Sequence, residues 1–401
     1  MQDQRARPDP FTEEQLQGAK ALRTRLGHIL PPTFNTDFFL ARWYRAYKGN
    51  LDAVEKNLRD LISHREALDY GPGNVLKCCS SYEFAQKTFE RFAISKLEMD
   101  VFSGDVAVFL QRMRGVDLKE IMKAIPLSYV LHSYMLLQEC FHNAMFEQEQ
   151  RSGKPSAVVV IIDLAGLCIS DFINPLSVPS RLARLVVKMW SDYFSENLIR
   201  LYLLHPPALL SIMWQIARHI VDAKTQSRIV FVTKLEEIHN YLEEKAIPRD
   251  YGGQWVDSSG FSSPPESCVS QPKPVLPSDY FNAKEHFWKK YGVSTEPELK
   301  SISLKSKATH EVTLQCRAGQ KLLWLFTVNS DITFEIVHFA EGKENDANET
   351  TVVWPKITLT YLKTPEHGFI ECKNTGEYRV KFTNVSFSWL SAKLQYSILA
   401  Q

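Results

Sequence analysis

The chain has 401 residues, long enough for two domains at roughly 100–200 residues each. Hydrophobic residues make up 44% and charged residues 23%, which is typical of a globular protein with buried cores. The 47 Lys and Arg against 46 Asp and Glu leave a net charge of +1, which argues against a dedicated nucleic-acid-binding protein. We therefore expect a globular protein of two domains with no nucleic-acid partner.

The seven cysteines are scattered and form no C-x-x-C pair. The first fifteen residues, "MQDQRARPDPFTEEQ", contain no apolar core of signal-peptide length. No apolar run reaches the roughly 18 residues that a membrane-spanning helix needs. The sequence therefore predicts a cytoplasmic protein with free thiols.

Residues 10–70 show the pattern of amphipathic helices. Apolar residues recur at helical spacings between charged ones, as at Phe39, Trp43, Val54, Leu58, Leu61 and Ile62. Lys48-Gly49-Asn50 predicts a helix end followed by a turn. We interpret residues 1–75 as a helical N-terminal subdomain.

Strand and helix patterns alternate from residue 76 to residue 253. Strands are predicted at 105–113, 156–164, 198–205 and 228–232. Helices are predicted at 127–150, 178–194, 206–223 and 234–246. Because each strand is an unbroken apolar run, the pattern predicts an α/β sheet covered by helices.

The composition changes after residue 253. Residues 254–278 are rich in Ser and Pro, which predicts a flexible, protease-sensitive linker. Seven short apolar runs separated by turn residues follow in 279–401, and they predict an antiparallel β-sandwich. In "YRVKFTN", Tyr378, Val380 and Phe382 alternate with charged residues, as in a strand with one buried face. We expect the sandwich to have its own core, so that residues 1–275 stay soluble alone.

No common catalytic motif is present: the chain has no G-x-S-x-G, GxxxxGK[ST], G-x-G-x-x-G or H-E-x-x-H. Asp163 ends an apolar strand, as a phosphatase nucleophile would, but the second Asp of that motif is replaced by Ala165. We interpret the Asp163 carboxylate as an acceptor where the strand meets its loop. His132 and His142 share a predicted helix, but their spacing does not place both on one metal ion. The sequence therefore predicts a protein that is not an enzyme.

Two predicted helices have unusual faces. In 206–223, apolar residues recur at i, i+4, i+7 and i+11, at Leu209, Met213, Ile216 and Ile220. Such a helix is either well buried or covers an apolar cavity as a lid. In 178–194, Arg181, Arg184 and Lys188 are spaced i, i+3 and i+7. That stripe is either a solvated face or a surface that attracts anionic lipid headgroups.

Several stretches resemble motifs of one known family. "FFLARWYRAYKGNLDAVEKNLRDLISHRE" resembles its helical N-terminus, and "VVVIIDLAGL" resembles its V-x-[VI]-x-D-x-x-G-L strand. "LHPPALLSIMWQIARHIVDAKTQSRIVFV" is similar to its strand–helix–strand block, and "IPRDYGGQW" is similar to its closing [LI]-P-x-x-[YF]-G-G. The family is the CRAL-TRIO lipid-transfer family. Near the C-terminus, "TGEYRVKFTNVSFSWLSAKLQYSI" resembles the end of a Golgi-dynamics (GOLD) domain.

The two domains in this order resemble the supernatant-protein-factor or tocopherol-associated-protein type. The resemblance implies an N-terminal helical subdomain, an α/β CRAL-TRIO lipid-binding domain and an all-β GOLD sandwich. It implies non-enzymatic binding and intermembrane transfer of a phospholipid such as phosphatidylinositol, or of tocopherol or an isoprenoid. The only cofactor-like group is the bound lipid. The resemblance further implies two kinds of partner, a transiently contacted membrane surface and a protein bound through the GOLD domain. The alternative is a lipid-responsive regulatory or scaffold protein, and an enzyme of unknown type is a further alternative.

The resemblance also implies where a lipid would bind. Val158, Val160 and Ile162, or their opposite-facing neighbours, would floor an apolar pocket under the 206–223 gate helix. In phosphoinositide-binding members of the family a Glu, a Thr and a Lys hold the headgroup, and these positions fall on Glu196, Thr225 and Arg228. The chain departs from the family at three places: His205-Pro206-Pro207 replaces Asn-x-Pro, His219-Ile220 replaces Pro-Phe, and Arg228 replaces Lys.

Overall fold

The computed structural model of the chain describes residues 4–70, 75–98, 100–194, 196–217, 223–262, 266–340, 342, 350–386 and 391–401. In this part of the chain, five helices precede the main strands: α1 (Glu13–Leu26), α2 (Asp37–Ala46), α3 (Leu51–Ala67), α4 (Val75–Ser81) and α5 (Glu83–Phe89). Each of α1 to α3 begins at a polar side chain, of Thr12, Thr36 or Asn50, that accepts a backbone N–H bond at 3.1–3.3 Å. The turn at Lys48 and Gly49 has positive φ angles of 51° and 79°. The six apolar residues predicted for the inner helix faces are all buried, which confirms the helical prediction.

A mostly parallel sheet follows, with strand order β1-β3-β4-β5-β6 and β2 paired to β3. Its strands are β1 (Ala93–Ile94), β2 (Phe102–Ser103), β3 (Val106–Arg112), β4 (Ala157–Asp163), β5 (Leu198–Leu204) and β6 (Ile229–Val232). Strands β3 to β6 are parallel and neighbours in sequence order. The helices of this region are α6 (Leu118–Ala124), α7 (Leu127–Ser152), α8 (Val178–Tyr193), α9 (Ala208–Ala217) and α10 (Ala223–Arg228). Because crossovers between parallel strands are almost always right-handed, we expect the connecting helices to lie on one face of the sheet.

The two faces of this sheet are covered differently. Val158 and Val160 belong to an apolar cluster with residues of α7 and α8, whereas Val159 and Ile161 belong to a second cluster on the opposite face. Residues 234–246 cover this opposite face. They were expected to form a helix, and that prediction is wrong: they form 3-10 turns at Leu235–Asn240 and Glu244–Ala246. The error has a physical reason, since apolar residues spaced three and four apart suit 3-10 turns as well as an α-helix.

In its described residues, the C-terminal region is an antiparallel sandwich of two four-stranded sheets, with orders β11-β10-β13-β8 and β12-β9-β14-β7. The strands are β7 (Lys300–Leu304), β8 (Thr309–Cys316), β9 (Lys321–Val328), β10 (Ile332–Ala340), β11 (Thr350–Leu359), β12 (Glu366–Glu371), β13 (Gly376–Asn384) and β14 (Ala392–Ala400). Tyr378, Val380 and Phe382 are buried at 1%, 0% and 0% exposure. The sandwich prediction is therefore confirmed, although β7 was not predicted.

The sandwich and the α/β domain share a hydrophobic core. One continuous cluster contains residues of β3, β4, α7 and α8 together with Trp324, Phe326, Phe334 and other inner residues of the sandwich. Indole–imidazole contact between Trp354 and His132, with ring centroids 4.9 Å apart, lies at this junction. The expectation that the sandwich has a core of its own is therefore wrong, and residues 1–275 alone would expose apolar surface that the sandwich covers.

The described residues of 254–278 contain no named strand, and a short 3-10 turn begins at Pro277. Nevertheless Cys268 and Val269 are 1% and 2% exposed and belong to the cluster on the opposite sheet face. Backbone bonds join Ser270 N to Ile94 O at 3.0 Å and Lys273 N to Glu90 O at 2.7 Å. The described part of this segment is thus packed onto the α/β domain, and the expectation of a flexible linker is wrong there.

The basic stripe of α8 faces the sandwich. Arg181 donates to the Thr360 hydroxyl, and the Arg184 guanidinium contacts the Asp331 carboxylate at 2.9 Å. Lys188 pairs with Asp192 on its own helix at 2.6 Å. The solvated-face reading fits Arg184 and Lys188, which are exposed, whereas Arg181 is half-buried against the sandwich and fits neither reading. The sequence could not show the contacts of Arg181 and Arg184, because their partners lie about 150–180 positions away.

Candidate functional site

Helix α9 is the described part of the predicted 206–223 gate helix. It begins at Ala208, and the structure describes it as far as Ala217. Leu209 and Ile212 are 40% and 57% exposed, which is unusual for side chains of this size. The backbones of Met213 and Ile216 lie on this helix, but their side chains, and Ile220 altogether, lie outside the described residues. Leu209 and Ile212 therefore do not fit the alternative in which this helix is well buried.

The sheet beneath α9 is less covered than its other half. Strands β3 and β4 are almost wholly buried, whereas the first residues of β5 and β6 are half-buried. Strand register aligns Ile162, Leu203 and Phe231 across β4, β5 and β6 on one face. Phe231 lies under the Trp214 indole of α9, with ring centroids 5.9 Å apart. This apolar row therefore lies on the face that α9 covers.

The three predicted floor residues differ in position. Val158 and Val160 are 0% and 2% exposed because α7 and α8 pack over them. They have no open surface for a ligand in this structure. Ile162 is half-buried and belongs to the row that reaches Phe231 beneath α9. Leu203 and Phe231, next to Ile162 in the register, were missed by the sequence interpretation, although the strand alignment was a signal that could have found them.

Two of the three headgroup candidates meet. The Arg228 guanidinium donates to Glu196 Oε1 at 2.9 Å, and their side chains are 19% and 8% exposed. The second oxygen of Glu196 lies 3.9 Å from Arg45 Nη1, on α2. Thr225 lies on α10, three positions before Arg228, and its side chain is outside the described residues. In the described contacts, two cations thus approach one carboxylate that is almost fully buried, so the cluster is more enclosed than a plain surface pair.

Asp163 accepts hydrogen bonds from three directions at the carboxyl end of β4. The Ala165 backbone N–H and His205 Nδ1 approach Oδ1 at 3.0 and 2.8 Å. The Tyr251 hydroxyl donates to Oδ2 at 2.7 Å and accepts from Arg112 Nε at 3.0 Å. Burial, with the nearby Asp163 charge, raises the pKa of Tyr251, so this hydroxyl stays a donor. The structure thus confirms the interpretation of Asp163 as an acceptor, and it adds Arg112, His205 and Tyr251 as partners.

The histidines of α7 belong to the core. His132 and His142 are 0% and 3% exposed, and burial holds the pKa of each imidazole well below its usual range. Among the described residues, no group of three or more His, Cys, Asp or Glu side chains is placed to hold a metal ion. Nor do these residues contain a helix long and apolar enough to cross a membrane.

A cleft of 510 Å³ lies away from α9, between α5, residues 273–291 and β12. Its charges are paired internally: Glu83 contacts Lys87 at 2.8 Å and Lys290 at 2.9 Å. Phe281 stacks on His367 at its floor, with ring centroids 4.1 Å apart. A cleft with such a charged wall does not suit a lipid tail, so the region of α9 remains the better candidate.

The fold and the site define an α/β domain with an apolar, helix-covered sheet face, followed by an all-β domain. Residues 106–253 match the profile of the CRAL/TRIO domain. The chain therefore contains a CRAL/TRIO domain. A second profile, "F28H7_8_C:-like, C-terminal domain", matches residues 288–401. Because that description differs from GOLD, the GOLD type stays a prediction.

The chain is similar along its length to two proteins of Caenorhabditis elegans. It is 28% identical to CRAL-TRIO domain-containing protein C34C12.6 over 412 aligned positions, covering 97% of each chain. It is 22% identical to Protein ctg-1, covering 93% of this chain and 94% of the relative. The crystal structure of Sfh5 aligns with a TM-score of 0.47 and 15% identity, covering 67% of this chain and 95% of that one.

Proposed function

We propose that this protein binds a hydrophobic lipid beneath α9 and transfers it between membranes without chemical change. The observation that carries the proposal is the apolar row Ile162, Leu203 and Phe231, of which Ile162 and Phe231 are half-buried, on the sheet face covered by a helix that itself exposes Leu209 and Ile212. An apolar surface of this kind favours acyl or prenyl chains. Covering it with a lipid tail stabilises the complex by about 25 cal/mol per Å² of apolar surface removed from water. The CRAL/TRIO domain supports the proposal, because proteins of that family generally bind or transfer lipids.

The surface around α9 fits a transient membrane contact. Exposed large apolar side chains occur just before α8 at Ile173 and Leu176, which are 56% and 78% exposed, and on α8 at Val187, which is 64% exposed. With Leu209 and Ile212 they lie within about forty residues of sequence. Apolar side chains at a membrane-facing surface enter the interface between headgroups and acyl chains. Such a contact would let a lipid leave the bilayer without crossing water.

The Glu196–Arg228 cluster is the proposed headgroup site. A guanidinium offers two parallel N–H donors to a phosphate, so Arg228 keeps the charge of the Lys that it replaces and adds a second bond. Arg45 brings a further cation within 3.9 Å of Glu196. An anionic phospholipid such as phosphatidylinositol is therefore the ligand class that this cluster favours. The bound lipid is the only small-molecule ligand that the proposal requires, and the proposed location is cytoplasmic.

The second candidate is a lipid-responsive regulatory protein. It is favoured by the docking of the sandwich on α8, whose Arg181 and Arg184 contact Thr360 and Asp331. Helix α8 ends just before Glu196, so a change at the proposed lipid site can reach the sandwich through this helix. In that case a protein partner would bind the sandwich differently with and without lipid. These contacts between α8 and the sandwich are compatible with both transfer and regulation.

The test has two parts. Native mass spectrometry of the purified full chain should show a co-purifying lipid and give its mass. A vesicle assay should then show transfer of pyrene-labelled phosphatidylinositol or phosphatidylcholine from donor to acceptor vesicles. A bound lipid without transfer would favour the regulatory candidate. No bound lipid and no transfer would contradict both.

A further inference from the structure

The link between β5 and α9 has an unusual backbone. The strand ends at Leu204, and α9 begins at Ala208, so the chain turns within three residues, His205-Pro206-Pro207. His205 has a φ of 48°, in the left-handed region that side chains other than Gly rarely adopt. A residue held there persists only when its surroundings determine it. At this turn, the imidazole of His205 has a hydrogen-bond partner that can hold the backbone in this conformation.

That partner is Asp163. His205 Nδ1 lies 2.8 Å from Asp163 Oδ1, and because a carboxylate only accepts, Nδ1 carries the proton. The carboxylate is itself fixed by the Ala165 amide on Oδ1 and by the Tyr251 hydroxyl on Oδ2. Tyr251 is fixed in turn by Arg112 at the end of β3. The first turn residue after β5 is thus tied to two neighbouring strand ends.

We propose that His205 is a positioning residue: its bond to Asp163 anchors the N-terminal hinge of α9 and so sets how readily the lid opens. The inference rests on the proposed function, because it assigns a role to His205 in opening that site. The imidazole is 43% exposed, whereas Asp163 is 10% exposed, so the bond is reached by solvent from the His205 side alone. The His205–Asp163 bond can therefore break without disturbing the buried part of the network.

The geometry predicts different outcomes for different replacements. Gly adopts a positive φ without steric cost, so His205→Gly keeps the turn and removes the bond to Asp163. Asn also tolerates this conformation, and its amide can donate to a carboxylate, so His205→Asn keeps both. His28→Ala is the matched control, since His28 is an exposed histidine on the helical subdomain.

The experiment compares these three variants with the wild-type full chain in two measurements. The first is hydrogen exchange of peptides from α9, with peptides of α7 as an internal reference. The second is the rate at which pyrene-labelled phosphatidylcholine leaves the protein for acceptor vesicles. We expect His205→Gly to raise both the α9 exchange rate and lipid release about tenfold, because a hydrogen bond to a charged group is lost. His205→Asn and His28→Ala should match the wild type, and α7 should be unchanged throughout.

Equal α9 exchange in His205→Gly and wild type would overturn the hinge role. So would equal effects of His205→Gly and His205→Asn, because the bond to Asp163 would then not matter. If the wild type neither binds nor transfers lipid, the proposed function fails, while the exchange measurement still decides whether His205 anchors α9. A release rate unaffected by loosened α9 amides would show that the anchor does not govern the lid, and would likewise contradict the inference.

Discussion

Glu366, at the start of β12, accepts a hydrogen bond from the backbone N–H of Leu127, the first residue of α7, at 3.0 Å. Its second oxygen accepts from Ser128 N at 3.2 Å. Helix α7 has no acidic residue in its first turn, and Pro126 before it provides no side-chain cap. A residue of the sandwich therefore supplies the cap that the 26-residue helix lacks in its own sequence.

Glu366 predicts a pH dependence of stability. Burial raises the pKa of its carboxyl group from 4.5 to about 7, although the bonds from Ser128 and Leu127 act in the opposite direction. Because the folded protein holds this proton more tightly than the unfolded chain, the stabilisation is complete below about pH 4.5 and is lost as the pH rises through about 7. A shift of this size corresponds to a loss on the order of 3 kcal/mol in the free energy of unfolding.

Urea unfolding of Glu366→Gln at about pH 5 and about pH 8 measures this effect, because the amide does not ionise. The difference between the two pH values should be smaller in this variant than in the wild type. Glu371→Gln is the control, since Glu371 is exposed on the same strand. Burial also raises the pKa of Glu139 to about 7. Because Glu139 is unchanged in both variants, it leaves a residual pH dependence of stability. An unchanged difference in Glu366→Gln would contradict the prediction.

Replacing an exposed apolar residue of the lid should slow transfer without unfolding the protein. Ile212→Ser removes an apolar side chain that is 57% exposed, so its effect on stability should be within about 0.5 kcal/mol. Leu299→Ser, at a site 51% exposed beside the sandwich, is the matched control. We expect vesicle transfer to fall several-fold for Ile212→Ser only. Ile216→Asp places a charge on the same helix and should slow transfer further, with circular dichroism checking its fold. Equal transfer rates in both serine variants would count against the lid.

The headgroup cluster predicts a selective loss. Thr225→Ala combined with Arg228→Ala should lower transfer of phosphatidylinositol about tenfold or more, because charge-assisted bonds to the phosphate are lost. Transfer of tocopherol or phosphatidylcholine should persist if those ligands do not use the site. Arg249→Ala is the control, since its guanidinium is 61% exposed and pairs only with Glu266 in the described contacts. Equal loss of all ligands would indicate misfolding, and no loss would remove the cluster from the binding site.

The shared core predicts that the two domains cannot be separated cleanly. Residues 1–275 should aggregate or bind the dye ANS strongly, because truncation exposes the apolar surface that the sandwich covers. Size-exclusion chromatography of this fragment beside the full chain makes the comparison. A monomeric fragment with the thermal stability of the full chain would show that the common cluster contributes little.

The strands, the long helices and the role of Asp163 followed from local patterns. An apolar run such as Val158–Ile162 predicts a buried strand wherever it stands, and a carboxylate at its end needs donors. The helix prediction for residues 234–246 was wrong because apolar spacing does not distinguish a 3-10 turn from an α-helix. This ambiguity is local, and only packing against the sheet resolved it.

The other misses come from contacts between distant positions. No residue near Arg184 in the sequence indicates that Asp331 is its ion-pair partner, and none near Leu127 indicates that Glu366 caps its helix. The family resemblance pointed to Glu196 and Arg228 together, and the structure pairs them, whereas the contact with Arg45 from α2 was not expected. Local periodicity identifies the elements, but the faces that meet depend on the whole arrangement.

The common core has a consequence for biosynthesis. The ribosome completes the surface of α7 and α8 long before it makes the sandwich, since Glu366 follows Leu127 by 239 positions. At about 5–20 residues per second this gap lasts about 10–50 s. During that time the nascent α/β domain carries an uncovered apolar face and an uncapped helix, so we expect it to be prone to aggregation until the last described strand, Ala392–Ala400, has been made.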